Sequence, residues 1–153
     1  MKRHFALWIL VVCMWAVPSL ARADAACDSV YAQNLARQGY SYLDERRWSD
    51  AKMAAGQLAM YAKSCGDPKV GFPSVVHSAY IGTAALHAMG DDARASQAFQ
   101  MGMMVIGVLK RDSRYSSLVG AMEPKFAALG REIKPPAPHV QAAAAQPAPA
   151  VSH

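Results

Sequence analysis

The chain has 153 residues, 53% hydrophobic and 18% charged, with 16 basic residues against 11 acidic ones and a net charge of +5. Part of that excess belongs to the leader: without Lys2, Arg3 and Arg22, 13 basic residues face 11 acidic ones. That small surplus removes the basis for a nucleic-acid footprint, which needs cations gathered on one face.

Lys2 and Arg3 precede an unbroken apolar run from Phe5 to Val17. Pro18 ends the run, and Ala21-Arg22-Ala23 has the small-x-small form of a cleavage site, so residues 1–23 read as a secretory signal peptide. Cleavage after Ala25 is the near alternative. An apolar run of about 13 residues is too short for a membrane span, which needs about 20. The expected location is the periplasm.

At the other end, Lys134-Pro135-Pro136-Ala137-Pro138 opens an Ala/Pro-rich stretch that continues to residue 153. Its composition offers too little apolar surface to offset ordering entropy, so 134–153 is expected to be a disordered tail. One domain over 24–133 remains, with its ordered part from Cys27 to Ile133, enough for a single modest core.

Cys13 falls in the leader, which leaves Cys27 and Cys65. An even pair in an oxidising compartment reads as a disulfide. The competing reading, acylation of Cys27 after Ala25-Ala26, meets Asp24 where a lipobox carries Leu.

Helical periodicity recurs through the domain and no segment alternates as a strand does, so the fold class is all-α, a bundle of five helices. The first helix, Ser29 to Glu45, aligns Tyr31, Leu35, Gly39 and Tyr42. The second, Ser49 to Lys63, is capped by Ser49, aligns Ala51, Ala55, Leu58 and Ala62, and stops at Gly66-Asp67-Pro68. After a loop, Pro73 suits the first turn of the third, which carries Val75, Ala79, Thr83, Leu86 and Met89 and ends at Gly90. Asp91 caps the fourth, with Ala95, Phe99, Gly102, Ile106 and Leu109 in phase. The fifth starts near Ser113 and runs through Leu118, Val119 and Met122; Pro124 kinks or restarts it before Phe126, Leu129 and Gly130. Short connections make successive helices antiparallel. Cys27 and Cys65 then return to one end of the first hairpin.

Gly39, Tyr42, Arg46, Trp48 and Ala51 keep an order that Thr83, Leu86, Gly90, Asp92 and Ala95 repeat at the same spacing, followed by Phe99. Here the chain resembles the tetratricopeptide repeat, over Tyr31 to Gly102. Ala51 and Ala95 stand at the small position early in each second helix, where it lets two helices approach. They are 44 residues apart, whereas the repeat runs to about 34. The surplus of about ten residues falls in the expected loop from Cys65 to Ser74. The resemblance implies antiparallel helical hairpins and a groove lined by the first helix of each pair. It assigns Gln33, Ala36, Tyr40 and Leu43, then His77, Tyr80, Ala84 and His87, to that groove. Positions 77, 80, 84 and 87 independently share one helical stripe. Gln33, Tyr40, His77, Tyr80 and His87 are the candidate partner-binding residues.

Ten residues, about 15 Å of helix, separate His77 from His87, so the two do not share a metal ion unaided. Met101, Met103 and Met104 lie in Ala98–Leu109, where Gln100 is the one polar residue, and read as core fillers. A helix apolar nearly all round is expected to be covered by the third and fifth helices; left uncovered, it would be a surface for a homodimer or partner. Asp28, Asp50, Asp91 and Asp92 sit at helix ends, where capping and the macrodipole explain them. Lys110, Arg111 and Arg114 cluster where a helix ends and cations are favoured. No activated nucleophile, carboxylate pair or phosphate loop is present, so no enzymatic activity, cofactor or metal is expected. The expected function is an exported module that binds another envelope protein non-covalently. The alternative is a periplasmic inhibitor, such as an immunity protein against a wall-acting toxin.

Overall fold

The computed structural model describes residues 27–133. The expected signal peptide, Cys13 and the Ala/Pro-rich segment 134–153 lie outside the described residues. The fold is all-α: α1 (Ser29–Asp44), α2 (Trp48–Ser64), α3 (Pro68–Ala88), α4 (Asp92–Leu109), a 3-10 turn (Ser113–Tyr115) and α5 (Ser116–Glu132). Successive helices pack as antiparallel hairpins, and α3 contacts each of the others. Consequently α1, α3 and α5 run in the same direction, while α2 and α4 return behind them.

Aspartates start most of these elements. Asp28 accepts from the Val30 and Tyr31 N–H groups, Asp67 from Lys69, Asp91 from Arg94 and Asp112 from Arg114. Each satisfies an amide that the first turn leaves unpaired. The exceptions are α2, which begins at Trp48 after Arg47, and α5, which follows on from the 3-10 turn after Tyr115; neither has a side-chain cap, and Ser49 already lies inside α2 and does not act as the expected cap.

The third helix corrects the sequence expectation. It begins at Pro68 rather than Pro73, because Asp67 caps it and Pro68 takes the position where a missing N–H costs nothing. Pro73 lies inside the helix. The expected loop from Cys65 to Ser74 is therefore mostly two extra helical turns, which bury Val70, Gly71 and Ser74. Pro124 likewise sits within α5, which remains a single helix from Ser116 to Glu132.

Burial around α3 organises the core. Val76, Ile81, Thr83 and Ala85 are fully buried there, and Ile106, Leu109, Met122 and Phe126 close over it from α4 and α5. Ala51 and Ala55 meet Ile81 and Ala85, while Ala95 meets Leu129 and Ile133. The two alanines that the repeat pattern singles out thus occupy equivalent close crossings, the first against α3 and the second against α5. Gly102 presses on Phe126: a Cβ there would lie 2.5 Å from the ring and 3.1 Å from Ala79 Cβ. Buried hydroxyls of Ser74, Ser78 and Thr83 donate to carbonyls of their own helix, those of Val70, Val75 and Ala79.

Both hairpins turn in the same way. After α3, Gly90 N–H donates to His87 and Asp91 N–H to Leu86, with Gly90 at φ 80°. After α1, Arg46 N–H donates to Leu43 and Arg47 N–H to Tyr42, with Arg46 at φ 59°. These are paired Schellman caps, of which only the second hairpin has the residue suited to left-handed backbone.

Cys27 and Cys65 are joined, with their Cα atoms 5.3 Å apart. The bridge ties the start of α1 to the end of α2. Reducing the disulfide, or making Cys27→Ser, is expected to lower unfolding free energy by about 2–4 kcal/mol. The measurement is the urea midpoint with and without reductant; coincident midpoints would mean the bridge adds nothing. Arg46→Gly should raise stability by about 1 kcal/mol by removing left-handed strain, whereas Gly90→Ala should lower it by a similar amount. A loss of stability in Arg46→Gly would contradict the shared turn geometry.

Candidate functional site

Because α1, α3 and α5 run side by side in one direction, they form one face, with α3 as its floor. Three clefts lie along it. The first, about 420 Å3, lies between α1 and α3 and is lined by Gln33, Ala36, Arg37, Tyr40, Lys69 and His77 among others. The second, about 790 Å3, lies between α3 and the start of α5 and shares Lys69, Pro73 and His77 with the first. The third, about 420 Å3, runs along the lower half, between Leu43, Asp44 and Trp48 on one side and Lys125, Leu129 and Glu132 on the other. Tyr80, Ala84 and His87 form its floor, and Tyr40 links it to the first cleft. From Lys69 to His87 the floor is about 27 Å long at the rise of an α-helix.

Tyr40 and His77 stand at the junction of the clefts. The Tyr40 hydroxyl lies 2.9 Å from His77 Nδ1 and 3.8 Å from Met122 Sδ. One phenol therefore touches all three helices. Its ring lies 6.0 Å from that of Tyr80, which in turn meets Phe126 edge-on at 5.4 Å. Lys125 Nζ sits 5.3 Å from the Tyr40 ring centre and 5.9 Å from that of Tyr80, within cation–π range. Burial pushes the Tyr40 hydroxyl well above the ordinary phenol range, with the neighbouring Tyr80 adding to the shift. Burial raises Tyr80 as well, and Glu132 and Asp44 contribute. His77 moves the other way: burial first, then the Lys125 charge, hold it below the usual imidazole value. At neutral pH the junction thus consists of two protonated phenols and a neutral imidazole.

All five candidate partner-binding residues line these clefts, in different settings. Gln33 is exposed on the wall of the first cleft. Tyr40, His77 and Tyr80 are half-buried, and their polar atoms and rings are largely engaged with one another. His87 is half-buried at the lower end, its Nδ1 2.7 Å from Asp92 Oδ1. Sequence reasoning missed Arg37 and Lys69 on the rim and all of α5's wall, including Met122 and Lys125. A signal for the wall was present: Ser117, Ala121, Lys125, Leu129 and Glu132 recur at helical spacing on one side of α5.

The opposite face corrects another expectation. The α4 stretch Ala98–Leu109 is not covered all round: Gly102, Ile106 and Leu109 are buried, but Met101, Met104 and Val108 are 56%, 66% and 58% exposed. Met53 and Met60 of α2 are exposed as well. The α3 and α5 helices bury only one side of α4, so these methionines do not fill the core; Met103 is half-buried against it.

Among the described residues no helix is long and apolar enough to cross a membrane, and no three His, Cys, Asp or Glu side chains gather into a group able to hold a metal ion. Comparison with known proteins finds no matching family model, no matching curated protein and no matching solved structure.

The lowered His77 value has a consequence for stability. The unfolded chain binds a proton on this imidazole near pH 6.5, and the folded chain does so only at lower pH. The contribution of neutral His77 is therefore complete above the unfolded value and declines as pH falls below it, by at most about 1.4 kcal/mol per pH unit. His77→Gln should flatten this segment of the stability–pH curve, measured by urea unfolding at a series of pH values. An unchanged slope would remove His77 from the account.

Proposed function

We propose that this chain is a protein-interaction module whose groove, floored by α3 and walled by α1 and α5, holds an extended segment of another envelope protein without covalent chemistry. The observation that supports this reading is the continuity of the three clefts through Tyr40 and His77 along one face. Concave, mainly apolar surfaces with a few polar groups are where ligands are usually held, and tyrosine offers contact area at low entropic cost. The duplicated order of small and aromatic residues, together with two hairpins turning through the same cap, favours a tetratricopeptide-like build. The signal-like leader and the Cys27–Cys65 bridge favour an oxidising compartment outside the cytoplasm, namely the periplasm.

Tyr40 is a poor residue to truncate, because its ring and hydroxyl join three helices. Gln33 and Ala121 line the groove from solvent-exposed positions, so Gln33→Trp and Ala121→Trp fill it and leave the core intact. Each is expected to weaken binding to a partner cross-linked from envelope extracts by at least about tenfold, with unchanged circular dichroism. Met104→Glu on the opposite face should bind as the parent does. The reverse pattern would move the interaction to the methionine-bearing face.

A further inference from the structure

The groove reading above leaves open what its occupant must carry, and the distribution of charge answers this on the condition that the reading holds. The two clefts at the disulfide end are lined by Arg37, Lys69, Arg114 and His77, and by no carboxylate. Asp112 holds Arg114 through both carboxylate oxygens, but Arg37 and Lys69 form no ion pair among the described residues. The far cleft is lined by two carboxylates, Asp44 and Glu132, against one lysine, Lys125. The charged and titratable groups around His77 are Arg37 and Tyr40 from α1, Lys69 and Tyr80 on its own helix, Arg114 and Tyr115 from the 3-10 turn and Lys125 from α5. None of them is a carboxylate.

We infer that an acidic side chain of an extended protein segment docks at the disulfide end of the groove, between Arg37 and Lys69, and that His77 takes up one proton from solvent as it docks. Two unpaired cations on the rim supply the attraction, and paired charges across an interface set register more than raw affinity. Asp44 and Glu132 oppose the same residue at the other end, so the acidic part of the segment has one place to lie. The proton has a place to go. In the neutral tautomer that carries its proton on Nε2, the Tyr40 hydroxyl donates to Nδ1. When Nδ1 gains a proton it donates to the Tyr40 oxygen instead, and the hydroxyl hydrogen turns to Met122 Sδ, 3.8 Å away. An incoming carboxylate provides the counter-charge that His77 lacks in a ring of cations, which favours its charged form.

Two measurements test this on the full chain. Random peptides displayed on phage are selected against the parent chain and against a variant carrying Arg37→Glu and Lys69→Glu. The parent should enrich Asp- and Glu-containing sequences, and the variant should enrich basic ones. One acidic peptide so selected is then titrated at about pH 7.5 and about pH 5.5, where its carboxylates remain ionised. Its affinity should rise at the lower pH, by up to about tenfold per pH unit for one coupled proton, and the rise should vanish in His77→Gln. Identical peptides from the two proteins would overturn the inference, as would affinity independent of pH. Free acetate competing as well as the peptide would reduce the site to one for small anions and overturn its assignment to a protein segment. Peptides that lack acids yet lose binding in Ala121→Trp would overturn the inference while leaving the groove in place. If the parent selects no peptide, the groove reading falls, and the inference with it.

Discussion

The close approach of four helices to α3 governs this molecule. A helix that packs against four neighbours must have small residues on its own surface or facing it, because each large side chain holds two backbones apart. Gly39 faces Ile81, Gly82 faces Ala55, and Gly102 faces Phe126. Alanines fill the remaining crossings at positions 51, 55, 79 and 85. The three hydroxyls buried in α3 bond back to its own carbonyls, so burying them leaves no donor unsatisfied.

That packing also produces the groove's polarity. Three helices lying parallel on one face bring three N-terminal ends together, beside the disulfide and the Tyr115–Pro68 hydrogen bond that anchors the top of α5. Asp28, Asp67 and Asp112 stand at those ends and are already occupied by amides. Their charge is spent on the helix termini, and what faces the clefts is cationic. At the other end the helices finish, their caps use backbone groups, and Asp44 and Glu132 remain to colour the rim.

How much of this was legible beforehand depended on the kind of signal. Stripes such as Ala51–Ala55–Leu58–Ala62 and Ala95–Gly102–Ile106–Leu109 marked α2 and α4, because apolar residues in phase with a helix have to be buried. The Cys27–Cys65 pairing followed from parity and hairpin geometry. The start of α3 is ambiguous in sequence because the chain offers two prolines, and Pro68 reads as a stop for α2 although Asp67 makes it a beginning. The exposed side of α4 was missed for a different reason: hydropathy counts methionines, and it does not reveal how many neighbours a helix will have. The groove stripe on α3 was visible as spacing. Its cationic rim was not, because Arg37 and Lys69 are brought together only by tertiary packing.

The notch at Gly39 bears on more than packing. Ile81 Cδ1 lies 2.8 Å from the place a Cβ would take there, so α1 rests directly on α3 near the middle of the trough. A single missing methyl group thus acts as a gauge block for the width of the channel at its centre. A side chain at this position would have to displace Ile81 or lift α1 away from α3, and lifting α1 would widen the trough there.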